Sequence, residues 1–384
     1  MHRFARFPRL GIVLFWQQET VSMTTTIRAA VLHALGEPFA LETISIGAPG
    51  AGEILVKLAA TGICHTDIKV SRGYAGVPLP VVLGHEGAGV VAAIGNDVDG
   101  FAPGDHVILT FPSCGRCGPC HEHHPAYCDA GQVLSFACTG AAPYSPASIH
   151  GHFFGQSSFA THALATARNA VKVDTHFPIE QLGPLGCGFQ TGAGIVLNVL
   201  QPAPGRSLAV FGTGNVGLST IMAAKIAGLD PVIAVDANPQ RLELAVAMGA
   251  THTLAAAGRE AMLASINRIT GGAGVHYAVD TTNDPDTVRT AFEALANRGT
   301  CVHSGGGGKD LAFPGSHLLH GRTVTGVIQG DSDPAVFIPQ LLEYHRQGLF
   351  PFDRLLSFYG LEDINMAVAD MQAGKVVKPV LRMP

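Results

Sequence analysis

Four cysteines stand in one short string, Cys114, Cys117, Cys120 and Cys128, spaced C-x2-C-x2-C-x7-C with Gly115 and Gly118 between them. Four thiolates at this spacing close tetrahedrally around zinc. A metal with four protein ligands keeps no open position, so its role is structural. Free surface thiols or two disulfides would be odd in a reducing compartment. An iron–sulfur cluster would want a following Cys-Pro and a ferredoxin context, which the string lacks. His121, His123 and His124, in the same string, read as solvated. A second set is scattered: Cys64 in GICHTD, His85 and Glu86 in GHEGAG, and Cys187 in GPLGCGFQTG. Taken singly, each reads as a small buried hydrophobe or a satisfied core residue. Together, two cysteines and one histidine supply three ligands and leave zinc a fourth position for water or an alcohol, the arrangement of a catalytic metal. The third signal is VFGTGNVG, where Gly212, Gly214 and Gly217 form G-x-G-x-x-G around Asn215 and Val216. It directly follows an apolar strand pattern and opens a helical one. Asp236 ends the next strand pattern, 19 residues after Gly217. A carboxylate there bonds adenosine ribose hydroxyls and repels a 2′-phosphate, which favours NAD over NADP. Arg241 is the feature that favours NADP instead.

These groups need elements to position them, and composition bounds what those elements are. At 384 residues and 47% hydrophobic content the chain has material for two cores. It is 14% charged with a net charge of -5 and carries no Lys/Arg-rich run, which argues against nucleic acid as a partner. Forty-seven glycines and 24 prolines suit many short strands joined by tight turns. Strand patterns at 208–211, 232–236, 251–254, 275–280, 300–304 and 323–327, with helical stretches between most of them, predict a doubly wound parallel six-stranded Rossmann sheet. Irregular strand and turn material fills the chain before residue 188. The rhythm stops after Gly330, and the tail through Phe350, Leu361 and Lys378 is expected to rejoin the first domain. The domains are therefore expected at 23–188 with 326–384, and at 189–325. Residues 1–22 are basic with an apolar run at 10–16 that is too short to span a bilayer and lacks a small-residue cleavage site. They read as an upstream translation start or a disordered tail before Met23. Cysteines in metal-ligand patterns point to the cytoplasm. The glycines at 305–308 read equally as a close approach to a cofactor or as a flexible turn.

The three motifs, in this order from about Met23 to the C-terminus, resemble the zinc-containing medium-chain alcohol dehydrogenases. CHTD, GHEGAG and GKVVKPVL look closest to the aryl- and benzyl-alcohol branch. The resemblance implies an α/β fold, a GroES-like β-rich catalytic domain joined to the Rossmann domain. It implies Cys64, His85 and Cys187 on a catalytic zinc with Glu86 behind it, Cys114, Cys117, Cys120 and Cys128 on a structural zinc, and NAD as cofactor. Thr66 then takes the alcohol proton. His65 and Lys378 lie near the cofactor phosphates, Thr191 and Val216 against the nicotinamide. Thr110, Val133, Phe153 and Phe154 line the substrate pocket. Many relatives end the proton relay in a histidine three residues after the threonine; Lys69 stands there, and it is expected to be dispensable. The activity implied is reversible oxidation of a primary alcohol, aryl, allylic or medium-chain, to its aldehyde. Alternatives are a glutathione-dependent formaldehyde dehydrogenase, a non-enzymatic dinucleotide-binding protein and a zinc-dependent redox regulator. The partner expected is a small molecule, with neither nucleic acid nor membrane. A homodimer through the apolar segment 302–327 is expected, with a tetramer as the alternative.

Overall fold

The computed structural model describes residues 24–138, 143–306 and 310–384. The expectations on residues 1–22, Met23, Gly307 and Gly308 fall outside that range. Three sheets organise the rest. A four-stranded sheet runs in the order Val81–Val82, Thr25–Leu32, Ala40–Ile46, Tyr144–Ser145. A seven-stranded sheet runs Leu356–Gly360, Lys378–Arg382, Glu53–Gly62, Gly87–Ile94, His106–Leu109, Ala170–Lys172, with His162–Thr166 also paired to Glu53–Gly62. The C-terminal strand Lys378–Arg382 pairs antiparallel with Glu53–Gly62. That pairing returns the tail to the site.

The third sheet has six strands in the order His252–Ala255, Val232–Asp236, Leu208–Phe211, Val275–Asp280, Leu295–His303, Thr323–Gly326, all parallel. In chain order this is 3-2-1-4-5-6, the Rossmann arrangement. Its switch point lies between the first and fourth strands, and ligands bind outside the carboxyl ends there. Central strands of a parallel sheet are covered on both faces, and all four residues of Leu208–Phe211 are buried. The helix Asn215–Ile226 packs close on that strand because Gly217 has no side chain: a Cβ there would sit 1.9 Å from the Gly212 carbonyl oxygen. The next helix, Pro239–Met248, starts where Asn238 accepts hydrogen bonds from the Gln240 and Arg241 amides, with proline in the first turn.

Three of the six expected strands keep their bounds, and the other three differ, two of them by no more than one residue at either end. The largest difference is the fifth strand, expected at 300–304 and found at Leu295–His303. Its polar Ala-Asn-Arg-Gly stretch reads as a turn, and the backbone does turn there, with Arg298 at φ 62°. Pairing resumes on either side of it, from Val275 with Leu295 to Tyr277 with Thr300. One apolar cluster joins the two large sheets, from Ala88 and Ile108 through Phe189 and Val196 to Leu208, Val210 and Leu218. Among the described residues no helix is long and apolar enough to cross a membrane.

Candidate metal and cofactor site

The strand Glu53–Gly62 runs into the helix His65–Ser71, and Cys64 caps that helix. Asp67, in the first turn, accepts the Cys64 amide through Oδ2 at 2.8 Å. Its Oδ1 accepts the His85 Nδ1–H, also at 2.8 Å, and the Gly84 amide at 3.2 Å. A helix-capping carboxylate thus also fixes the tautomer and direction of an imidazole. The other ring nitrogen, His85 Nε2, is buried and has no hydrogen-bond partner. Leaving such an atom unsatisfied costs about 1–3 kcal/mol. Ligand atoms of Cys64, His85, Glu86 and Cys187 all lie within 4.8 Å of one another, and with Nδ1 taken by Asp67 it is Nε2 that is left to bind a metal there. Two thiols, one oriented imidazole nitrogen and a carboxylate make a donor set that fits zinc, with the carboxylate-bound histidine usual around that metal.

The electrostatics agree with that donor set. A hydrogen bond with Cys187 holds the Cys64 thiol well below its ordinary pKa and pushes Cys187 well above its own. Burial works against protonation of His85, but Asp67 and Cys64 together outweigh it and raise the imidazole. Glu86 is fully buried, and burial pushes its carboxyl up to about 7 against the pull of Lys378. Lys378, 1% exposed, reaches Glu86 Oε1 and Oε2 at 2.8 and 2.9 Å and the Ile63 carbonyl at 3.1 Å. Gly62 leaves room for this pair, since a Cβ there would fall 2.0 Å from Glu86 Oε2. Lys378 therefore spends its hydrogen bonds inside the protein.

Around this core the remaining candidates fall at varied distances. The Thr66 hydroxyl lies 3.8 Å from Cys64 Sγ, and His65 is exposed beside it. Thr191 donates to the Cys187 carbonyl at 2.9 Å. Phe154 stacks on the His85 ring at 4.5 Å between centroids, and Phe153 meets that ring edge-on at 5.8 Å. Thr110 is buried and receives a hydrogen bond from Gln190 Nε2 at 2.9 Å. Val133 faces outward, 57% exposed, on the helix Gly131–Phe136. On the cofactor side, Gly212, Gly214 and Val216 lie at the head of the first Rossmann helix with Asn215, whose buried Nδ2 has no partner. Asp236 Oδ2 accepts the Thr213 amide and hydroxyl at 2.7 and 2.8 Å, which aims the carboxylate along the glycine loop. Arg241 has a buried, unpartnered Nε.

Residues that drew no attention in the sequence also belong here. Asp67 is one. Gln156 donates to the His85 and Thr110 carbonyls at 3.0 and 3.1 Å, and Phe136 packs on Phe154 at 5.2 Å. Gln329 Nε2 lies 3.9 Å from Cys187 Sγ. Gln329 and Asp331 are non-glycine residues in left-handed backbone, φ 50° and 47°, on either side of Gly330. Such conformations cost about 1–2 kcal/mol per residue. Apart from Asp67, which stands in the CHTD string, no local motif marks these, because each acts through a contact made only in the fold.

The four-cysteine loop forms a separate cluster, with the ligand atoms of Cys114, Cys117, Cys120 and Cys128 within 4.8 Å of one another and all four thiols free. Cys117 Sγ lies 3.8 Å from Cys128 Sγ, far beyond the roughly 2.0 Å of a disulfide. The Arg116 amide draws the Cys114 thiol down to about 6. The histidines of this loop are exposed, but two of them find partners: His124 bonds Asp331 at 2.7 Å, and His123 lies 4.0 Å from Asp333.

Comparison with known proteins agrees with this geometry. Residues 50–175 match the alcohol dehydrogenase GroES-like domain and residues 215–343 the zinc-binding dehydrogenase domain. The chain is 43% identical over 371 residues to a geraniol dehydrogenase of Castellaniella defragrans, covering 92% of this chain and 97% of that one. It superposes on the crystal structure of a benzyl alcohol dehydrogenase from Acinetobacter calcoaceticus with a TM-score of 0.90 at 41% identity, covering 94% of this chain and all of that one. An alcohol dehydrogenase zinc-binding domain protein from Burkholderia ambifaria gives a TM-score of 0.91 at 48% identity, covering 94% of this chain and 100% of that one. The chain belongs to the zinc-binding alcohol dehydrogenase family and is an oxidoreductase acting on the CH–OH group of an alcohol, with the zinc and nicotinamide cofactor that this family uses.

Proposed function

We propose that this enzyme oxidises an aryl or allylic primary alcohol to its aldehyde with NAD, reversibly, using one catalytic and one structural zinc per chain. The observation that carries the substrate class is the aromatic cluster built on the His85 ring, where Phe154 stacks at 4.5 Å and Phe136 and Phe153 close behind it. A flat, conjugated substrate gains from aromatic surroundings that a short aliphatic alcohol cannot use. The names of the geraniol and benzyl alcohol relatives point the same way.

The protein's own groups divide the work. Cys64, His85 and Cys187 would hold the catalytic metal, with Glu86 behind them and Asp67 keeping His85 Nε2 turned inward. Bound there, zinc supplies a Lewis acid that lowers the pKa of an alcohol, and the nicotinamide accepts hydride. Thr66, on the first turn after Cys64, takes the alcohol proton. Asp236 receives the adenosine ribose and disfavours a 2′-phosphate, while Asn215 Nδ2, unpartnered and buried, supplies a donor at the helix start. Cys114, Cys117, Cys120 and Cys128 would hold the structural zinc. We assign the catalytic domain to 23–188 with 326–384 and the cofactor domain to 189–325. The edge strand Thr323–Gly326, flanked by Leu318 and the 88% exposed Leu319, is the surface through which a homodimer would form, and the enzyme would work in the cytoplasm.

The test is NADH formation at zinc-replete protein with benzyl alcohol, geraniol, hexanol and ethanol, repeated with NADP and after chelation. Chelator-sensitive, NAD-dependent turnover highest on benzyl alcohol or geraniol is expected, with two zinc ions per chain by elemental analysis. Equal turnover of ethanol, or preference for NADP, would overturn the assignment. Sedimentation at micromolar concentration showing monomer alone would reject the dimer.

A further inference from the structure

Lys69 lies on the helix His65–Ser71, which begins at the active-site residues, and its ammonium reaches the cofactor domain. Its Nζ donates to the Gly306 carbonyl at 2.6 Å. Gly306 follows the fifth Rossmann strand, Leu295–His303, on the carboxyl side of the sheet where a dinucleotide binds. The same carbonyl accepts Asn283 Nδ2 at 3.0 Å, from the turn after the fourth strand, Val275–Asp280. The loop is packed tightly at that point, since a Cβ on Gly305 would meet Asn283 Cβ at 2.6 Å. On the catalytic side it passes Tyr74, whose hydroxyl lies 3.9 Å from where a Cβ on Gly306 would be. The Tyr74 ring meets Phe136 edge-on at 6.1 Å, and Phe136 packs on the Phe154 that stacks on His85. One carbonyl is thus held by a donor from each side of the crevice, and the catalytic side of that contact continues to a zinc-ligand candidate.

We propose that Lys69 is a positioning residue that ties the cofactor-domain loop at Gly306 to the catalytic domain across the mouth of the dinucleotide crevice, and that it does not accept the substrate proton. The proposal rests on the reading of this crevice as the nicotinamide site. Nζ is engaged as a donor to that carbonyl at 2.6 Å, whereas a terminal proton acceptor must present a lone pair toward the relay. The tie crosses the path by which a cofactor leaves, so its loss shows first in cofactor release.

Full-length, zinc-replete protein is titrated with NADH by fluorescence, and NADH dissociation is followed by stopped flow, for the wild type and for Lys69→Met, Lys69→Ala and Lys69→Arg. Methionine keeps the stem and removes the donor. Lys69→Met and Lys69→Ala are expected to weaken NADH about three- to tenfold, the range of an exposed charge-assisted hydrogen bond, through faster dissociation. Lys69→Arg, which retains a donor, restores affinity and guards against a folding artefact. Unchanged NADH affinity in Lys69→Met would overturn the tie. Slower single-turnover hydride transfer at neutral pH that added ammonium restores would instead make Lys69 the proton acceptor. Binding of NADH is measured without any alcohol, so failure of the substrate assignment leaves this result interpretable.

Discussion

The two cysteine-containing clusters use similar donors in opposite settings. The four-cysteine cluster lies within one loop, and its ligands come together with little help from the rest of the chain. The Cys64, His85, Glu86 and Cys187 cluster draws on the end of one strand, the entry to another and the start of a helix nearly halfway along the chain. Three of its donors are buried and individually propped, His85 by Asp67, Glu86 by Lys378 and Cys187 by Gln329, while Cys64 is half-buried. A local cluster can be read from spacing and serves stability; a dispersed one needs buried partners to aim each ligand, and those partners set its reactivity.

The sharpest way to break this comparison is to remove one donor from each cluster. His85→Ala is expected to lower turnover at least a thousandfold, about 4 kcal/mol, while one of two zinc ions is lost and the melting curve barely moves. Cys120→Ser is expected to do the reverse, with the melting transition falling and aggregation rising before kcat of the surviving enzyme changes; equal effects on both readouts in both variants would erase the distinction. Next in size is the prop behind Glu86. Lys378→Met leaves a buried carboxylate unpaired and is expected to cost about 3–5 kcal/mol in denaturant unfolding, with Glu86→Gln/Lys378→Met recovering much of it. A single variant as stable as wild type would show that the pair is dispensable. Asp67→Ala is expected to lower kcat/KM and zinc affinity about 10- to 100-fold, with the rate falling further than stability. At the small end, His124→Ala, which removes an exposed pair with Asp331, is expected to cost under about 1 kcal/mol in thermal unfolding.

What could be read from the sequence follows the same division. The strands 208–211, 232–236 and 275–280 are found as expected, because parallel strands covered on both faces are short apolar runs between turn residues. The outer strand His252–Ala255 and the bulged strand Leu295–His303 were less legible, since exposure and an inserted turn break that pattern. The four-cysteine loop is plain from spacing alone. Cys64, His85 and Cys187 were recoverable through resemblance, as nothing in their separate strings says that they meet. Asp67 stands in the same CHTD string, but a carboxylate in the first turn of a helix is ordinary capping, and its second bond, to His85, is a tertiary fact. Lys378 reads, through the resemblance, as a cation near the cofactor phosphates, and only the fold reveals its ammonium bonded to Glu86 inside the protein.

The left-handed segment Gln329–Asp331 touches both clusters at once, with Gln329 at Cys187 and Asp331 at His124 in the cysteine loop. Gly330 is wedged against the helix that follows Cys187, its carbonyl accepting Asn198 Nδ2 at 3.0 Å. A strained segment anchored at both ends relaxes when either anchor loosens. Loss of the metal at the cysteine loop should therefore loosen the other centre: a chelator that strips that loop first would shorten the lifetime of the centre at Cys64, His85 and Cys187, and chelation traces would show a lag rather than two independent decays.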